Sequence, residues 1–313
     1  MTTVRRDHAG PPRILLRPGE ARESMLSAIR DGGGVITDDP AEAEGLIWLD
    51  PRDPSGLLPL LADAPGVRWI QLPFAGIEPF IGVLDPTRTW TSGKGVYADP
   101  VAEMVLAMLL AGMRDLTGYA RQRTWAAPVG RNLFDARIVV LGGGEITRAL
   151  MPLLAPFRCR VTVLRRLQEP FDGAERTGTL ADLPEVVRDA DAVVIALALT
   201  EETQHVIDAS VLEAMPEHAF LVNVGRGGHV DTEALVAALS VGSIGGAALD
   251  VTDPEPLPDG HPLWTEPRCL ITPHVGNTPE MGAPLLEARV RTNVRRFADG
   301  QPLLGLVDVE AGY

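Results

Sequence analysis

Lysine is all but missing from this chain. Lys94 is the only one among 313 residues, and arginine supplies the rest of the 28 basic side chains. Against 42 acidic residues they leave a formal net charge of -14. Phosphate backbones are held by clustered Lys and Arg, so this balance excludes a nucleic-acid partner. Cysteine is scarce as well. Cys159 and Cys269 stand far apart, with no second thiol or histidine at metal-ligand spacing. That excludes a disulfide framework and a zinc site, and no metal is expected. Long apolar runs are also lacking. The longest, residues 105–113, is too short to cross a bilayer, and Arg5 and Arg6 have no apolar run behind them to make a signal peptide. A cytoplasmic protein with no membrane partner is expected.

What is present is a chain long enough for two lobes, with 45% hydrophobic residues to fill both. Short apolar strands alternate with helical stretches throughout, the pattern of doubly wound parallel sheets. In the first third, residues 13–16, 45–49 and 68–72 read as strands, and 20–30 and 55–64 as helices. Asp99-Pro100 then reads as a side-chain cap followed by a first-turn proline. It opens a helix to about residue 114 that is apolar on nearly every side. Further strands are expected at 137–141, 160–164, 192–199, 219–224, 246–251 and 269–272. Crossover helices are expected at 181–189, 210–215 and 232–239. A last helix at 279–298 precedes a tail, 303–309, expected to return to the first lobe. The domains are placed at 1–97 with 280–313, and at 98–279.

The strand at 137–141 breaks into Gly142-Gly143-Gly144-Glu145-Ile146. Glycines at 142 and 144 let the backbone turn tightly and approach a pyrophosphate, which the N–H groups opening the next helix, at Glu145 and Ile146, stabilise. Such turns also link strands to helices where no ligand binds, so the motif alone does not establish a dinucleotide site. Thr147 stands where the usual pattern has its third glycine, a position that governs helix packing. At the end of the following strand, where an NAD site offers a carboxylate to the ribose, the sequence has Arg165-Arg166. Two guanidiniums attract a 2′-phosphate. NADP(H) is therefore the expected cofactor, with NAD as the alternative.

Three side chains follow successive expected strands in the last third: Arg226 within Asn223-Val224-Gly225-Arg226-Gly227, Glu255 behind Asp250, and His274 within Thr272-Pro273-His274. Strand ends of a parallel sheet converge on one crevice. An arginine grips a carboxylate through two hydrogen bonds, a histidine exchanges a proton near neutrality, and a glutamate holds that histidine in its charged form. The set suits reduction of a 2-oxo acid. Of the other histidines, His205, His218, His229 and His261 read as structural.

Taken with Phe74-Ala75-Gly76-Ile77, the segment from Gly95 to Glu103, and Ala248-Leu249-Asp250-Val251 ahead of Glu255-Pro256, these motifs in this order resemble the D-isomer-specific 2-hydroxyacid dehydrogenases over nearly the whole chain. The resemblance implies an α/β fold in which a Rossmann-type cofactor domain is inserted into a flavodoxin-like substrate domain, and a homodimer built on the cofactor domains. It implies Arg226 as the substrate arginine, His274 as the proton donor and Glu255 as its partner. It further implies Ala75 and Gly76 as backbone donors to the carboxylate of a small 2-oxo or 2-hydroxy acid, Asp250 as the acid near the nicotinamide amide, and Val224 and Gly225 as cofactor contacts. Ser92 and Ala198 depart from frequent family residues, Asn and Pro. A dinucleotide-sensing regulator of the corepressor type, with little turnover, is the alternative function.

Overall fold

The computed structural model describes residues 10–19 and 22–309. By its internal contacts the chain forms two compact units, one of residues 1–97 with 278–313 and the other of residues 98–277. In the first unit, strands Arg13–Arg17 (β1), Val35–Ile36 (β2), Gly45–Trp48 (β3), Trp69–Gln71 (β4) and Thr89–Thr91 (β5) make a parallel sheet of order β2-β1-β3-β4-β5. This is the flavodoxin-like order. Glu23–Asp31 (α1) and Leu57–Asp63 (α2) pack on it. The start expected for α1, Glu20 and Ala21, lies outside the described residues. β2 and β5 were not foreseen, because two or three residues are too few to establish a period of two.

The second unit opens with Ala98–Met113 (α3) and Leu116–Arg121 (α4), then strands Arg137–Leu141 (β6), Arg160–Leu164 (β7), Arg176–Gly178 (β8), Ala192–Ile195 (β9), Phe220–Asn223 (β10), Gly246–Leu249 (β11) and Cys269–Ile271 (β12). Between them run Glu145–Leu154 (α5), Leu183–Val186 (α6), Ala209–Ala214 (α7), Thr232–Val241 (α8) and Pro262–Thr265 (α9). The sheet is parallel, in the order β12-β11-β10-β9-β6-β7-β8. It runs outward in both directions from β6, as a Rossmann-type sheet does. Alternation along its strands divides the core in two. Val139, Leu141, Val193, Ile195 and Leu221 face one buried layer, while Ile138, Val140, Val194 and Val222 face the other beneath α3 and α5.

Two local expectations are corrected. Asp99 does not cap α3; the helix already begins at Ala98, and Asp99 and Pro100 sit in its first turn. The single crossover helix expected at 181–189 is instead a 3₁₀ turn, the short α6 and another 3₁₀ turn. Pro184 sits in the first turn of α6, where its missing N–H is tolerated. Pro279–Ala298 (α10) returns the chain to the first unit, burying Val290, Val294 and Phe297 against α1 and β4. The tail then bridges β5, with Val307 N–H donating to the Trp90 carbonyl at 3.0 Å.

Candidate active site

β6 ends at the point where strand order reverses, and its exit is built for close backbone approach. Gly142 has φ +112, and a side chain there would overlap the Ala196 carbonyl. Only glycine meets both demands. Gly144 precedes α5, and among the described residues none but its chain neighbours has an atom within 4 Å of where its Cβ would stand. The open space beside Gly144, at the N-terminus of a ten-residue helix whose first N–H groups lie at Glu145 and Ile146, fits a pyrophosphate. Thr147 is fully buried, and its hydroxyl donates to the Gly142 carbonyl at 2.7 Å. The departure from the third glycine thus fastens the turn to the helix that follows it.

Arg165, at the exit of β7, lies against the same turn. A Cβ on Gly143 would stand 2.8 Å from its Cδ. Its guanidinium and that of Arg148 both lie over the Phe171 ring, at 5.7 and 5.2 Å. Arg166 is exposed.

The loop after β10 carries Val224, Gly225 and Arg226. Buried Asn223 organises it, accepting from Gly225 N–H at 3.0 Å and donating to the Arg226 carbonyl at 2.9 Å. Arg226 is extended and half-buried, and its Nη1 donates to the Gly225 carbonyl at 2.8 Å. A side chain on Gly227 would overlap the Thr252 carbonyl, so this loop and the one leading to Glu255 touch backbone to backbone.

His274, on the loop after β12, pairs its Nδ1 with Glu255 Oε1 at 2.7 Å. Both side chains are about half exposed, at 50% and 42%. His274 has φ +53, uncommon for a residue with a side chain. Asp250 holds it there: its carbonyl accepts from His274 N–H at 2.8 Å, and its carboxylate accepts from Thr272 Oγ1 at 2.5 Å and from the N–H groups of Val275 and Gly276 at 2.8 Å each. The carboxylate expected beside a nicotinamide is thus occupied in shaping the turn that presents His274. In the sequence, spacing alone gave no sign of this clamp.

Ala75 and Gly76 belong to the other unit. They lie on the loop after β4, where Phe74 meets Tyr97 edge to face with centroids 6.0 Å apart and Tyr97 Oη donates to the Pro73 carbonyl at 2.7 Å. Burial pushes the Tyr97 phenol up to about 12, so it stays protonated. It likewise pushes the Cys159 thiol up to about 11 and Cys269 to about 12, which makes neither a ready nucleophile. Among the described residues no group of three or more His, Cys, Asp or Glu is arranged to hold a metal ion, and no helix is long and apolar enough to cross a membrane.

Comparison with known proteins agrees with this fold. The family model for the NAD binding domain of D-isomer specific 2-hydroxyacid dehydrogenases matches residues 104–276. An uncharacterized protein in the proB 3' region of Corynebacterium melassecola is 36% identical over 300 residues, spanning 93% of this chain and 97% of that one. A glyoxylate reductase of Thermofilum pendens is 32% identical over 309 residues, 89% of this chain and 86% of that protein. The crystal structure of a D-isomer specific 2-hydroxyacid dehydrogenase from Xanthobacter autotrophicus Py2, in complex with NADPH and MES, superposes with a TM-score of 0.83 at 27% identity, covering 97% of this chain and all of the other. With its Rossmann-type sheet, its Gly-rich turn and its His–Glu pair, the chain belongs to the D-isomer specific 2-hydroxyacid dehydrogenase family.

Proposed function

We propose that the protein reduces a small 2-oxo acid to the D-2-hydroxy acid, with His274 as proton donor and NADPH as the preferred reductant. The observation that carries this is the 2.7 Å contact between His274 Nδ1 and Glu255. A carboxylate only accepts, so Nδ1 bears the hydrogen and Nε2 is the nitrogen left to deliver a proton. Glu255 fixes that tautomer and orients the ring. Arg226 grips the acid's carboxylate and polarises its keto group, each charged hydrogen bond contributing roughly 1.5–3 kcal/mol. A reduced nicotinamide, when bound, supplies the hydride to the keto carbon. His274 Nε2 gives its proton to the keto oxygen, which completes the alcohol, and the half-exposed ring recovers a proton from water.

The turn from Gly142 to Ile146 is proposed to hold the pyrophosphate, with Val224 and Gly225 lining the same dinucleotide. Ala75 and Gly76 are proposed to offer backbone N–H groups to the substrate. Arg165, steadied over Phe171, and Arg166 supply positive charge where a 2′-phosphate would lie, and a 27%-identical relative was solved with NADPH. A homodimer through the cofactor domain is proposed from the apolar surface of that unit: Leu116, Trp125, Val129 and Phe134 are each at least half exposed. Sedimentation at micromolar concentration checks it.

Steady-state oxidation of NADPH and NADH against a panel of 2-oxo acids tests the function. The expected result is turnover with kcat/KM higher for NADPH, and a kcat about 10²- to 10⁴-fold lower for His274→Ala with its affinity for NADPH kept. Cofactor binding without turnover would overturn the enzymatic reading. An advantage for NADH would overturn the cofactor preference, and an unchanged kcat would remove His274.

A further inference from the structure

His229 is fully buried three residues beyond Arg226, and it is not a passive core residue. Its Nδ1 lies 3.0 Å from both the backbone nitrogen and the carbonyl oxygen of Arg226. That carbonyl already accepts from the Asn223 amide and the His229 N–H, whereas the Arg226 N–H can only donate, which favours Nδ1 as the acceptor and the ring hydrogen on Nε2. Nε2 has no partner that meets hydrogen-bond geometry; the carbonyl it faces is that of Ala198, on the loop after β9. A neighbouring glycine makes room for this ring, and a second lets the β9 loop close over it. A Cβ on Gly225 would stand 3.0 Å from two ring atoms, and one on Gly228 would stand 3.0 Å from the Gln204 amide of the same β9 loop. Burial lowers the ring's affinity for protons and keeps Nδ1 available as an acceptor.

We propose that His229 is a positioning residue for Arg226: its Nδ1 holds the Arg226 backbone extended, and so sets the direction from which the guanidinium meets a substrate carboxylate. The inference rests on the reading of Arg226 as the carboxylate-binding group. A buried N–H without its acceptor costs free energy, and the loop relieves that cost by turning its amide elsewhere and carrying the guanidinium with it. Such a loss weakens 2-oxo acid binding and leaves the dinucleotide site as it was.

Three variants of the full-length protein separate this from simple packing. His229→Leu keeps bulk and removes both nitrogens; His229→Asn places an oxygen where Nδ1 was; His229→Gln places its amide where Nε2 was. For the 2-oxo acid turned over fastest, KM is expected to rise about tenfold in His229→Leu, equivalent to about 1.4 kcal/mol, while the NADPH Kd from fluorescence titration stays within about twofold. His229→Asn should recover most of the loss and His229→Gln little. An unchanged KM in His229→Leu, a better rescue by Gln than by Asn, or a Kd rising in step with KM overturns the proposal. Should His229→Leu not fold, the Asn and Gln pair decides it. Arg226→Lys is measured alongside. If it leaves KM unchanged, the reading of Arg226 has failed. If it raises KM while the His229 variants do not, only the positioning role has failed.

Discussion

A histidine enclosed in a folded core carries a cost that depends on pH. The ordinary imidazole value is 6.5, and burial lowers that of His229. Below about 6.5 the unfolded chain takes up a proton at this position that the folded chain refuses. Its contribution to stability is therefore complete above about 6.5 and is lost as pH falls from there toward the lower folded value, at a rate of up to about 1.4 kcal/mol per pH unit. Thermal unfolding followed between about pH 7 and pH 5.5 is expected to show a steeper fall of Tm for the natural protein than for His229→Asn, which does not titrate. Parallel slopes would mean that the ring gains its proton equally in both states. His274 stands in contrast, half exposed against Glu255. Two histidines on loops of one sheet thus differ in setting, one buried against a backbone N–H and the other half exposed and paired with a carboxylate.

At the scale of one element, the turn from β6 into α5 shows what a single hydroxyl replaces. Thr147→Val keeps the shape of the side chain and removes the donor to the Gly142 carbonyl, a loss worth about 1–3 kcal/mol. A lower Tm together with a raised NADPH Kd is the expected outcome, read by calorimetry and fluorescence titration; a normal Kd would show that the turn holds its shape without the bond. Nothing in the sequence named the hydroxyl's partner. Thr147 showed only as a missing glycine, because a hydrogen bond that closes back over five residues depends on how the helix starts. The turn itself was legible, since a β-branched run breaking into glycines has few other structures available. So were the buried strands of the second unit, which began within a residue of their expected starts; four of them ended short once the ladder stopped and the chain turned into loops. The short strands β2, β5 and β8 were not legible, and neither was the Asp250 clamp, which joins residues 22 to 26 positions apart through loop geometry. Glu255 and His274 could be paired from their motifs, whereas the direction of each side chain required the fold.

Across the whole molecule, the insertion leaves one unit continuous and the other dependent on both ends of the chain. Residues 98–277 contain the seven strands of their own sheet and a core on each face. The first unit is completed only when α10 lays Val290, Val294 and Phe297 into it, with Phe297 against Trp69 at 5.3 Å between ring centroids. Tryptophan divides between the units in a useful way. Trp48, Trp69 and Trp90 are buried in the first unit, whereas Trp125 is fully exposed and Trp264 is 44% exposed in the second. Intrinsic fluorescence therefore reports mainly on the first unit, and binding of a nicotinamide dinucleotide reports on the second. Phe297→Ala removes a ring with no solvent exposure, for a loss of about 3–5 kcal/mol. In urea, the fluorescence transition of this variant is expected to move to lower denaturant while NADPH binding is lost at the same concentration as in the natural protein. If both transitions moved together, the two units would unfold as one cooperative body, and the insertion would be a feature of chain topology without independent stability.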